Sequence, residues 1–151
     1  MKTPRLLLML PMALTASLSL ASADGVAQPV APASHVMSDF PKLYPAAYRH
    51  WRQLLPSAFA GTAWLSRFEG TASQIRPVTV GGTTMIYGSE CKPHDCGPNS
   101  VQVLASRDGS RVVGLVTLAG GDAVLIVGSP TPAELNCLKV LDGDNAKVTS
   151  C

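Results

Sequence analysis

Cys91 and Cys96 enclose a proline, a histidine and two opposite charges in the run Cys91-Lys92-Pro93-His94-Asp95-Cys96-Gly97. Joined as a disulfide, two cysteines at this spacing close a small ring. In the chain-entropy picture so short a loop adds only about 2 kcal/mol to global stability. Its larger effect is local, because the four residues between the cysteines are held in one shape. Pro93 fixes its own φ and restricts Lys92 before it. Gly97 lets the backbone leave the ring at an angle other residues avoid. Lys92, His94 and Asp95 then form a polar tip. An imidazole carries a nitrogen on each of two edges and donates from both when protonated, so it can bridge two acceptors. A rigid ring with such a tip suits insertion into a concave partner, since little ordering is left to do on binding. The plainer reading is a stapled hairpin whose polar residues are solvated. A zinc site is a further rival, with His94 inside the ring, although Cys-x4-Cys is looser than the common zinc knuckles.

Other chemistry-bearing residues are sparse. The four cysteines, Cys91, Cys96, Cys137 and Cys151, form an even set, which in an oxidising compartment implies two disulfides. Three connectivities exist; pairing nearest neighbours gives Cys91–Cys96 and Cys137–Cys151. A thiol–disulfide enzyme using Cys91 and Cys96 is an alternative, but redox pairs usually read Cys-x-x-Cys at a helix start. An acid–base enzyme using His94 and Asp95 lacks the burial that tunes such groups and has no nucleophile beside them. His35 and His50 read as solvated or structural, Tyr48, Trp51 and Trp64 as core, and Arg107 and Arg111 as solvent-facing residues around a turn. Gly-x-Ser-x-Gly, a Walker loop, Gly-x-Gly-x-x-Gly and His-Glu-x-x-His do not occur. The expectation is a protein without catalytic residues, cofactor or metal.

The chain has 151 residues, room for one domain of ordinary size. Hydrophobic residues make up 46% and charged residues 15%, which excludes a wholly disordered chain. The 13 glycines and 12 prolines follow no Gly-X-Y period, so collagen is excluded and turns are expected. Lys2 and Arg5, the apolar stretch Leu6 to Leu20 and the small residues Ala21-Ser22-Ala23 read as a secretory leader, residues 1–23. The apolar stretch is too short for a membrane span, and no cysteine near the cleavage point offers a lipid anchor. Cleavage removes two basic residues and with them the formal charge of +2. No basic run remains as a nucleic-acid footprint.

Residues 24–38, rich in Ala, Pro, Val and Ser, read as a flexible lead-in to a single domain, 39–151. Tyr44, Tyr48, Trp51 and Leu55 recur at helical spacing, with Pro45 in the first turn and Pro56 as the stop. A short helix is expected near Ala63 to Phe68. Five strands follow: Ile75 to Val80, Thr83 to Tyr87, Val101 to Ala105, Arg111 to Leu118 and Ala123 to Val127. Gly81-Gly82, Arg107 to Ser110 and Gly120-Gly121-Asp122 supply tight turns, which link antiparallel neighbours only. Thr131-Pro132-Ala133-Glu134 reads as a capping box opening a last helix that presents Leu135, Leu138 and Leu141 to the sheet and ends at Asp142-Gly143-Asp144. This is an α+β domain.

Cys-Lys-Pro-His-Asp-Cys followed by Gly resembles the signature loop of the inhibitor of vertebrate lysozyme (Ivy) family. Ala63-Trp64-Leu65, Pro77-Val78-Thr79-Val80-Gly81 and the strand into Cys91 are similar too, so the likeness covers roughly Ala63 to Leu118. It implies a five-stranded antiparallel sheet with helices on one face, and a periplasmic protein of a Gram-negative bacterium. It also implies inhibition of C-type lysozyme: the loop enters the cleft that cleaves peptidoglycan, and the histidine, here His94, hydrogen-bonds the two catalytic carboxylates. Lys92 and Asp95 would flank it, while Cys91 and Cys96 hold the loop around Pro93. A paralogue acting on the bacterium's own lytic enzymes is the alternative. Monomer and homodimer both stay open, with no membrane anchor and no nucleic acid among the partners.

Overall fold

The helical spacing around Trp51 produces α2 (Pro45–Leu54), preceded by one turn, α1 (Phe40–Leu43). The computed structural model describes residues 34–118, 123–141 and 148–151. The leader, most of the lead-in, the turn at Gly120-Gly121-Asp122 and the ending at Asp142-Gly143-Asp144 lie outside the described residues. Trp51 is fully buried, and its indole N–H donates to the Leu65 carbonyl in α3 (Ala63–Ser66) at 2.9 Å. Phe68, just past α3, takes φ 57°, a conformation an aromatic residue adopts only when its surroundings compensate. Here they do: its buried ring contacts Phe40, Tyr48 and Trp51 at centroid distances of 5.6, 6.0 and 5.7 Å.

Among the described residues the chain then forms six antiparallel strands: β1 (Thr71–Ala72), β2 (Arg76–Val80), β3 (Thr83–Cys91), β4 (Ser100–Ala105), β5 (Val112–Leu118) and β6 (Ala123–Val127). Five match the expected strands; the sixth is the two-residue β1. The order is β1-β3-β4-β5-β6, with β2 also paired to β3. β2 lies along Thr83–Tyr87 and β1 along Glu90–Cys91. Gly81 and Gly82, at φ 53° and 85°, close the β2–β3 hairpin as a two-residue turn of the type that matches strand twist. Gly114 in β5 leaves room for Trp51: a Cβ there would sit 2.6 Å from the indole.

The α+β class and antiparallel sheet agree with expectation; the placing of helices on one face does not. Trp51, Leu65 and Phe68 pack with Ile86, Val101, Val103, Val112 and Val116 on one face. On the other, Cys137, Leu138 and Leu141 of α4 (Pro132–Leu141) pack with Tyr87, Leu104, Val113 and Leu115. Strands apolar on both sides require two covered faces. The fold also begins earlier than residue 39. Val36 bridges Gln74, and Met37, within the stretch assigned to the lead-in, is fully buried.

Candidate functional site

β3 and β4 finish in register at Cys91 opposite Ser100, and the eight residues between them carry the expected ring. Cys91 and Cys96 are bonded, with Cα atoms 4.8 Å apart, so neither offers a thiolate to zinc. Neither stands at a helix start, the setting redox pairs favour. Among the described residues no group of three or more His, Cys, Asp and Glu is placed to hold a metal ion.

The Asp95 N–H donates to the Lys92 carbonyl at 3.0 Å and closes a four-residue turn. Pro93 occupies its second position, as turn geometry favours. His94 occupies the third, at φ 63°, where glycine or asparagine is usual and histidine is tolerated better than most side chains. The backbone thus turns back beneath His94, and the imidazole stands exposed at the tip. It makes no hydrogen bond or ion pair to another described residue.

Lys92 and Asp95 pair with each other, Nζ to Oδ2 at 2.9 Å. Asn99 is a member of this site that sequence reasoning missed. It is 4% exposed, donates Nδ2–H to Asp95 Oδ2 at 2.8 Å, and accepts the Lys92 N–H on its backbone carbonyl at 3.0 Å. The available signal was an asparagine just ahead of a strand, a residue type that bonds local backbone.

Glu90, also missed, precedes the ring. It is 3% exposed and neither carboxyl oxygen has a full hydrogen bond. Gly70 closes over it: a Cβ there would lie 2.6 Å from Glu90 Oε1. Burial pushes the carboxyl up to about 8; the nearby Gly70 N–H offsets part of this, and the like charge of Glu69 adds to it. Arg67 is engaged by Glu69 at 2.7 and 2.9 Å.

The remaining candidates have structural surroundings. His50 Nδ1 lies 3.1 Å from the Gly109 carbonyl, and His35 lies 3.6 Å from Asp39. Tyr48 is half-buried against the core that holds Trp51 and Trp64. Arg107 is exposed. Arg111 keeps a partly exposed side chain, but its guanidinium is engaged: it grips Glu134 at 2.8 and 2.5 Å and donates to the Ser129 carbonyl. Cys137 and Cys151 form the second disulfide.

Over 76 residues the chain is 34% identical to an uncharacterised protein of Yersinia pestis, a match covering 50% of this chain and 49% of that protein. The chain therefore spans about half the length of that curated relative. Residues 46–138, from α2 through the whole sheet and ring into α4, match the family model described as inhibitor of vertebrate lysozyme (Ivy). On that match, the chain belongs to the inhibitor of vertebrate lysozyme family.

Proposed function

We propose that the protein is a periplasmic inhibitor of C-type lysozyme that works by inserting the Cys91–Cys96 ring, with His94 foremost, into the enzyme's substrate cleft. The observation that carries this reading is the tip itself: a strained, cross-linked turn whose exposed imidazole has no partner among the described residues. Retaining glycosidases hold their two carboxyl groups about 5–5.5 Å apart. A protonated imidazole donates to both, and each bond to an ionised carboxylate is charge-assisted. Lysine in the same place would meet them as a mobile point charge. Two disulfides suit an oxidising compartment, and among the described residues no helix is long and apolar enough to cross a membrane.

The test is a titration of the mature protein against hen egg-white lysozyme at fixed salt, followed by clearing of a peptidoglycan suspension. The wild-type protein is expected to inhibit, with no clearing of its own. His94→Gly keeps the backbone conformation and removes only the imidazole; it is expected to weaken inhibition by about 1–3 kcal/mol. Equal inhibition by His94→Gly and wild type would remove His94 from this role, and no inhibition at any molar excess would end the proposal.

A further inference from the structure

The geometry points to Asn99 as the positioning residue that fixes the shape in which the ring presents His94, a role that rests on the inhibitory reading above. The disulfide ties the ring only at its base. Between its ends lies a turn held by one backbone hydrogen bond, with His94 in a conformation most residues avoid. A turn strained in this way persists only where its surroundings over-determine it.

Asn99 lies outside the covalent ring and directly ahead of Ser100, which β4 anchors opposite both Cys91 and Thr117. Its own position is therefore set by the sheet. From there its carbonyl accepts the Lys92 N–H before the tip, and its side-chain amide donates a hydrogen bond to the Asp95 carboxylate after it. One buried residue thus grips the ring on both sides of Pro93 and His94. The Lys92–Asp95 pair is exposed and worth little alone. The Asn99 bond to the same carboxylate is partly buried and charge-assisted, hence stronger. Aspartate at 99 would repel Asp95, whereas exchanging the two residues restores a donor facing an acceptor.

The experiment compares wild type, Asn99→Ala, Asn99→Asp, and Asn99→Asp combined with Asp95→Asn. Amide hydrogen exchange at Asp95 in the free protein reads the turn directly. Inhibition of hen egg-white lysozyme, with His94 intact and in the His94→Gly background, reads its consequence. Asn99→Ala is expected to speed Asp95 exchange and weaken inhibition by about tenfold each, the scale of a lost bond to a charged group. The inhibition loss should vanish when His94 is already glycine, since neighbours acting through one group are not additive. Asn99→Asp should speed exchange and the exchanged pair should slow it again, a comparison that stands even where Asn99→Ala does not fold. Unchanged Asp95 exchange in folded Asn99 variants overturns the inference. So does an inhibition loss that is the same in both His94 backgrounds. A wild-type protein that fails to inhibit overturns the lysozyme reading, and the exchange comparison then decides the role of Asn99 by itself.

Discussion

A carboxyl group buried as Glu90 is, with only the nearby Gly70 N–H to offset the loss of water, keeps its proton where an ordinary glutamate has lost it. Below about pH 4.5 the folded and unfolded chains both carry that proton, and its contribution to stability is whole. Between there and about 8 the unfolded chain ionises while the folded one does not, so stability falls with rising pH, and the contribution is gone above the folded value. Glu90→Gln removes this dependence. Its thermal midpoint is expected to equal that of wild type near pH 4 and to exceed it progressively towards pH 8; parallel curves for the two proteins would show that Glu90 does not titrate as described. Nothing in the sequence marked this residue, because its burial depends on Gly70 folding over it from a distant stretch of chain. The ring was legible for the opposite reason. Both cysteines, the proline and the histidine lie within six residues, so pairing nearest neighbours favoured this closure among the three connectivities. Asn99 escaped because its partners lie back inside a turn whose shape emerges only after the ring has closed.

At the scale of elements, local grammar was readable and placement was not. The start of α4 is an instance of the first: the Thr131 N–H donates to Glu134 Oε2 at 2.6 Å and the Glu134 N–H to Thr131 Oγ1 at 3.2 Å, as the capping box requires. The side of the sheet that α4 covers is an instance of the second, although β5 (Val-Val-Gly-Leu-Val-Thr-Leu) offered a clue. A nearly continuous apolar run of that kind belongs to a strand covered on both faces, whereas short turns say only which strands are neighbours. Arg111, at the entry to β5, connects the two scales. Its bidentate grip, followed by the Thr131 contacts, holds the Glu134 carboxyl down to about 2 despite partial burial. A lowered value stabilises the fold above the ordinary pKa of 4.5, and the gain is lost as pH falls through about 2. Arg111→Ala is expected to cost about 1–2 kcal/mol near pH 7, with the side chain's exposure keeping the loss modest. Denaturant unfolding at pH 7 and pH 2.5 checks this: the gap between variant and wild type should narrow at the lower pH, and a gap independent of pH would locate the loss elsewhere.

Across the whole molecule, the two disulfides divide the labour between shape and stability. Cys137–Cys151 joins α4 to the end of the chain over a separation of 14 residues. The tail runs beside β2: the Thr79 N–H donates to the Thr149 carbonyl at 2.9 Å, the Cys151 N–H donates to the Thr79 carbonyl at 2.8 Å, and Arg76 donates to the Val148 carbonyl. This bond therefore links a helix on one face to an edge of the sheet, whereas Cys91–Cys96 ties two neighbours that the β3–β4 hairpin already brings together. Chain entropy assigns about 3 kcal/mol to the longer loop and about 2 kcal/mol to the shorter. Replacing Cys137 and Cys151 with alanine is expected to lower the thermal midpoint by on the order of 10 °C. At temperatures where that variant stays folded, lysozyme inhibition and Asp95 amide exchange should match wild type. Replacing Cys91 and Cys96 should give the reverse pattern, a smaller thermal loss with a larger loss of inhibition. The asymmetry follows from location: the ring's bond acts where His94 is presented, and the tail's bond acts where α4 meets the sheet. A tail variant that lost inhibition while folded would mean that the shape of the tip depends on where α4 sits, and a ring variant that kept all of it would mean that the ring's own closure adds nothing to the hold that Asn99 provides from β4.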